Sequence, residues 1–193
     1  MGICAPNTFC NDYEGVITCE NFHFIKDEDY SFTKEKLILK NGKSIDNALL
    51  LLSKKYFKKI NEIKQNPTDF ILQSKSHNLF DTFIKLSSSN PFLFAENNKF
   101  DVISYLMECK EQTSVIEKEI KLKSIINNGN INNIYLMTYF IISNDVEENI
   151  WYFLEENEDD IDKIFSDNYI YIMIICLPIN NDKIVVYFIL YNI

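Results

Sequence analysis

The end of the chain constrains the fold more than any other stretch. Residues 169–177 and 184–193 are two runs dominated by Ile, Val, Leu, Tyr and Phe, with little alternation between apolar and polar side chains. β-Branched and aromatic residues in runs of this length read as strands. A half-exposed strand alternates, whereas a strand apolar on both sides needs a layer over each face. Residues 178–183 join the two runs as a hairpin loop. The chain therefore closes on a sheet covered twice, and the covering layers come from earlier residues.

A third run, 134–143, carries Tyr135, Leu136, Met137, Tyr139, Phe140, Ile141 and Ile142 and also reads as a strand buried on both faces. The covering layers read as helices. Ser44 suits an N-cap, after which Leu49, Leu52, Tyr56, Ile60 and Ile63 recur at steps of three and four, with Leu50 and Phe57 widening the stripe. Asn66 ends this helix because it precedes Pro67. Pro67 suits the first position of the next helix, which carries Phe70, Ile71, Leu79, Phe80, Phe83 and Ile84. A loop over 87–91, a helix over 99–110 and a short element over 117–126, started by Thr113 or Ser114, follow. A helix over 146–155, capped from 143–145, leads into an acidic, exposed stretch at 155–162. One short strand is expected at 36–39. Helices first and then a helix-interrupted sheet make the fold class α+β, layered as an αβα sandwich. Residues 1–43 read as an N-terminal tail and 44–193 as the domain.

At 193 residues with 47% apolar content, the chain is long enough for one well-buried core. Its formal charge of −9 argues against nucleic acid as the main partner, because phosphate binding needs a basic surface. Lys54, Lys55, Lys58 and Lys59 are a local exception around Tyr56-Phe57, and read as the solvated face of a helix. The five cysteines (Cys4, Cys10, Cys19, Cys109 and Cys176) form no CxxC, so neither a zinc site nor a redox motif follows from spacing. No secretory signal core precedes them, which points to a reducing, cytosolic setting. No apolar run approaches the roughly 20 residues that span a bilayer.

The first four residues, Met1-Gly2-Ile3-Cys4, supply a different route to a membrane. Removal of Met1 exposes Gly2 for myristoylation, and Cys4 is placed for palmitoylation. One myristoyl chain binds with only roughly 10⁴ M⁻¹, so stable attachment takes a second signal. A polybasic patch cannot be that signal, since six acids face Lys26 alone between Met1 and Thr33. Cys4 is the natural second anchor. Pro6 stands where the motif favours Ser or Thr.

Three segments, in order, resemble the CAP superfamily (cysteine-rich secretory proteins, antigen 5 and pathogenesis-related proteins), in particular its intracellular members. Phe57-Lys58-Lys59-Ile60-Asn61-Glu62-Ile63-Lys64-Gln65-Asn66-Pro67-Thr68-Asp69-Phe70 is similar to the family's opening helix, with its lysine- or arginine-bearing turn and Asn-Pro. Asn132-Asn133-Ile134-Tyr135 stands in the place of a Glu-Asn-Ile strand start. Residues 150–154, followed by Ile164-Phe165-Ser166-Asp167-Asn168-Tyr169-Ile170-Tyr171-Ile172, look like the closing helix, loop and penultimate strand. The resemblance covers about 45–193 and implies a CAP-like αβα domain. It also implies a cavity in which two histidines and acidic residues can hold a divalent metal. Here those positions are degenerate. Met107 or a neighbour stands for the first histidine, Asn132 for the glutamate, and the acidic sequence around Asp160 for the second histidine. Thioether and amide lack both a metal-ligand nitrogen and proton transfer near pH 7. No metal and no cofactor are expected.

Other constellations carry little chemistry. His77 and Cys109 are the one conceivable nucleophile–base pair outside the tail, apart from His23 or Cys176, and nothing marks a nucleophile turn or oxyanion donors. The acids at 155–162 lack the spacing and glycine of a calcium loop. The aromatic side chains Tyr135, Tyr139, Phe140, Trp151, Tyr152 and Phe153 read as core. The expectation is a non-catalytic interaction or scaffold domain with an unidentified protein partner. Acyl chains on Gly2 and Cys4 would hold it to the cytosolic face of a membrane. The alternative is a sterol- or fatty-acid-binding module using an aromatic-lined groove, which the family resemblance suggests.

Overall fold

The two closing runs lie in the middle of the sheet. A computed structural model describes residues 36–38, 44–73, 79–83, 85–109, 112–126, 130–142, 145–179 and 183–193. The closing hairpin consists of β5 (Tyr171–Ile179) and β6 (Lys183–Tyr191), antiparallel from Tyr171 opposite Tyr191 to Ile179 opposite Lys183. β4 (Ile134–Phe140) pairs antiparallel with the far side of β6. On the other edge the two-residue β3 (Leu93–Phe94) runs parallel to β5, giving the order β3-β5-β6-β4. Residues 172–177 and 184–191 are all buried, as their unbroken apolar pattern requires.

Register sorts the side chains into two faces. Phe188 stands opposite Met137 on β4 and Ile174 on β5. Its face is covered by α1 (Asn47–Gln65) and α6 (Val146–Glu156). Tyr56 of α1 meets the Phe188 ring edge-on at 5.9 Å, and Phe153 of α6 stacks on it at 4.4 Å. Tyr139 completes the cluster, edge-on to Phe153 at 5.9 Å. Such aromatic pairs add about 0.5–1.5 kcal/mol beyond the area they bury. α4 (Lys99–Glu108) packs on β5 and α5 (Val115–Ile125) on β4, and Tyr187 of the opposite face lies near Cys109 at the end of α4. The architecture is a mixed sheet between helical layers, α+β as expected.

Local chemistry sets the helix ends. α5 begins at Ser114 with a capping box. The Ser114 hydroxyl accepts from the Glu117 N–H, while the Glu117 carboxylate accepts from the Ser114 N–H at 2.9 Å. Asp145 caps α6 and Pro67 opens α2 (Pro67–Gln73), both where the sequence places them. α3 (Phe80–Phe83) follows.

Four expectations need correction. Ser44 does not cap α1: it belongs to β2 (Ser44–Asp46), which pairs antiparallel with β1 (Lys36–Ile38). The cap is Asp46, whose Oδ1 accepts from the Ala48 N–H at 2.8 Å. The run 134–143 is not buried on both faces, because β4 is an edge strand and Thr138 and Phe140 are exposed. The acidic stretch at 155–162 is not simply exposed. A short 3-10 turn (Glu158–Asp160) leads into α7 (Ile161–Phe165), and Ile161, Ile164 and Phe165 anchor it in the core. Finally, β3 was not anticipated, since two residues carry no periodicity.

The Tyr56 and Tyr139 hydroxyls are buried without a hydrogen-bond partner among the described residues. An unmade bond costs stability that removal of the oxygen restores. Tyr56→Phe should therefore be neutral or stabilising by up to about 1 kcal/mol in urea unfolding. Phe153→Ala should cost about 3–5 kcal/mol. A loss above about 1 kcal/mol from Tyr56→Phe would mean that the hydroxyl is satisfied.

Candidate functional site

Two polar clusters tie α7 to its neighbours, one buried and one part-exposed. The first is built on Lys64, in the last turn of α1 and buried. It sits four residues after Ile60, on the apolar stripe, so the helix carries it inward. Its ammonium donates to the carbonyls of Ile164, at 3.3 Å, and of Ser166, and lies 4.4 Å from the centre of the Phe92 ring. These carbonyls close α7, where a cation opposes the helix dipole and fills unmade bonds. The surrounding strands of chain are tied in turn. Ser89 donates its backbone N–H to the Lys64 carbonyl at 3.1 Å and its hydroxyl to the Phe165 carbonyl at 2.7 Å. Asn61 exchanges two bonds with Phe92, at 2.8 and 3.1 Å. Burial lowers the Lys64 pKa to about 8, with the Asp167 carboxylate acting in the opposite direction.

The second clamp contains Asp160. Lys163 donates to Asp160 Oδ1 at 2.6 Å and lies 4.1 Å over the Tyr135 ring, which is stacked on Tyr169 at 6.4 Å. Partial burial pulls Asp160 upward, but donation from Lys163 and Tyr135 outweighs it and holds the carboxyl below its usual range. The hydrogen bonds to Asp160 and Tyr135 hold Lys163 above the ordinary lysine value. Burial, followed by the bond to Asp160, raises Tyr135. Each group therefore keeps its charge state through neutrality, so the cluster orients α7 against β4 and is poorly suited to moving a proton.

The sequence-selected residues fall in different places. Asp160 meets β4 through Tyr135. Asn132 lies just before the same strand and is exposed, its N–H donating to the Asn192 carbonyl and its own carbonyl accepting from Lys123 at 2.7 Å. Met107 is on α4, half-buried against the core, in the layer opposite α7. Gly2, Cys4, His23 and His77 lie outside the described residues. Cys176 is buried beside Ser53; burial pushes its thiol up to about 12, against the pull of Ser53 and Lys99. That thiol is protonated at neutral pH. Among the described residues no group of three His, Cys, Asp or Glu side chains could hold a metal, and no helix is long and apolar enough to cross a membrane. The aromatic set divides: Tyr139 and Phe153 are core, whereas Phe140 and Tyr152 are exposed.

Two surface features remain. A cleft of about 200 Å³ between α1 and α2 is lined by Lys59, Glu62, Ile63, Asn66, Asp69 and Phe70, with Lys59 bridging to Glu147 at 2.7 Å. The other is apolar. On α5, Val115, Ile116 and Ile120 are 49%, 69% and 67% exposed, and on β4 Phe140 is 51% exposed. Nothing in the sequence periodicity separated these from core positions, and only the packing of α5 against β4 reveals them. Comparison with family models, curated proteins and solved structures finds no match to this chain.

Lys64 gives a pH signature. Its folded pKa of about 8 lies below its ordinary 10.5, so between these values the unfolded chain holds more proton at this residue. Stability from this residue then rises with pH across that window. Lys64→Met removes the titration. The stability gap between wild type and variant, from urea unfolding, should widen in favour of wild type from about pH 8 to about pH 10. A gap independent of pH would contradict a buried ammonium.

Proposed function

We propose that this chain is a non-catalytic interaction domain held at the cytosolic face of a membrane by acyl chains on Gly2 and Cys4. The observation that carries the interaction reading is the solvent-facing apolar group Val115, Ile116, Ile120 and Phe140. Scattered apolar side chains are ordinary on a surface, but these lie on two elements that pack together, α5 and β4, and such apolar groupings are where binding surfaces form. The reading gains support from the bonding of Asp160 with Lys163 and the burial of Cys176, which keep these groups in fixed protonation states near pH 7.

The finer architecture we propose is CAP-like with a lapsed site. Two features support it: the doubly covered closing hairpin, and the approach of the helix ending in Asn66-Pro67 to the segment before β5 through Lys64. On that reading Met107, Asn132 and Asp160 correspond in sequence to the family's ligands but do not meet in one cavity, so titration calorimetry with zinc or calcium should show no binding heat. Sub-micromolar binding would overturn that part.

The anchor is tested in cells by labelling with alkyne fatty acids. Wild type should take both myristate and palmitate analogues and sediment with membranes. Gly2→Ala should lose both labels, since palmitoylation follows membrane contact, and Cys4→Ser should keep myristate with weaker sedimentation. An unlabelled wild type would remove the anchor.

A further inference from the structure

Among the described residues two lysines lie inside the fold, Lys64 at 1% exposure and Lys99 at 5%. An ammonium taken out of water loses its hydration and needs acceptors in exchange. Lys64 has the Ile164 and Ser166 carbonyls. The Lys99 ammonium makes no hydrogen bond and no ion pair with any described residue. It lies 4.9 Å over the Phe94 ring, and a ring face replaces only part of the lost hydration. Nor is it sealed. Among the described residues the buried side-chain polar atoms closed to solvent without a partner are the Tyr56 and Tyr139 hydroxyls alone. The Lys99 Nζ, equally without a partner, is therefore open at its tip while its stem is buried.

The chain sets this cation where positive charge is disfavoured. Lys99 is the first residue of α4, at the positive end of the helix dipole. Asn98 before it has a left-handed backbone, φ 57°, and donates its side-chain amide to the Ile125 carbonyl at 2.8 Å, so it does not cap the helix. Two charged groups act on Lys99: Glu96 attracts it and Lys54 of α1 repels it. Asp101, in the first turn of α4, is not among them. Cys176 beside it is a protonated thiol at neutral pH and brings no charge. Burial outweighs Glu96 and lowers the Lys99 pKa. Two lysines against one glutamate leave one positive charge unanswered. The Phe57 ring packs on Phe94 with centroids 4.5 Å apart, so a pair of half-buried rings walls one side of the ammonium. The missing acceptor has to enter from the open side.

We propose that Lys99 is an anion-binding residue whose ammonium, with Lys54 at the rim, takes one carboxylate from a molecule outside this chain. One unanswered positive charge is neutralised by one negative charge, and a carboxylate brings it with two acceptor oxygens. A phosphate monoester carries about −1.5 to −2 at pH 7 and would leave the site negative beside Glu96. The carboxylate comes from a polypeptide, as a side chain or a chain end, or from a small free acid, and its chemistry at Lys99 is the same. This site goes beyond the interaction-domain reading and shares no residue with the apolar group on α5 and β4.

The test uses the full chain labelled with ¹³C and ¹⁵N, read at the Lys99 ¹³Cε resonance and the Phe94 and Phe100 amides. Sodium acetate exchanged for sodium chloride at constant ionic strength should move these signals along a saturable curve, half-complete at about 1–30 mM. Bound acetate should also raise the Lys99 titration midpoint. Acetamide, which has the shape without the charge, should move nothing. Methyl phosphate at pH 7 should bind at least about fivefold more weakly than acetate. Acetyl-diglycine, its amide, and that amide extended by one Glu distinguish a chain end from a side chain, and acetate without either peptide assigns a small acid. Lys99→Met replaces an unpartnered cation with an apolar side chain of similar length, so it should fold and lose the response. Lys54→Met should weaken binding about two- to fivefold, and it carries the test if the Lys99 variant fails to fold. The proposal is overturned by equal responses to chloride and acetate, by no response at Lys99, by tighter binding of methyl phosphate, or by acetate binding unchanged in Lys99→Met.

Discussion

The ammonium of Lys64 joins parts of the chain about a hundred residues apart, donating to the carbonyls of Ile164 and Ser166 from the last turn of α1. A buried cation is costly unless its donors are satisfied. Here two carbonyls and the Phe92 ring satisfy it. In return it supplies donors to the carbonyls of Ile164 and Ser166 at the end of α7. α7 leads directly into β5, so the position of α1 over the sheet and the entry of β5 into it are fixed by the same side chain. Asn61 with Phe92, and Ser89 with Phe165, fasten the intervening loop to the same place.

That arrangement explains why the molecule is closed on one side and open on the other. On the Phe188 face, α1, α6 and α7 are locked by Lys64, by the Asp160–Lys163–Tyr135 cluster and by the stacked rings of Phe153 and Phe188. On the other side α5 is held to β4 by one carboxylate and one ammonium, and only Leu122 of that helix is fully buried. The apolar side chains left over, Ile116, Ile120 and Phe140, therefore border the sheet edge.

Much of this was legible in the residues. The run pattern of 169–193 located the central hairpin, Asn66-Pro67 located the join between α1 and α2, and Thr113 or Ser114 marked the start of α5, which the capping box at Ser114 decides. These signals are local, set by backbone sterics or by side chains three residues apart. What escaped depends on distant pairing. Ser44 and Asp46 are both good caps, and only the β1–β2 ladder decides between them. β3 exists because Ile172 and Tyr171 lie beside it. An edge strand and a central strand share the same composition, so the exposure of Thr138 and Phe140 could not be read from 134–143. Lys64 was not singled out, and its partners lie in a segment that no spacing rule connects to it. Asp160 was singled out for a vacated ligand position; its partner proved to be Lys163, three residues away.

The claim that one buried cation holds α1 to the segment entering β5 rests most directly on the state of Lys64. Following its ¹³Cε resonance through a pH titration of the native chain reads that state without mutation. A buried ammonium held by the Ile164 and Ser166 carbonyls should titrate with a midpoint of about 8, whereas a midpoint at the ordinary 10.5 would place the side chain in solvent and contradict the account.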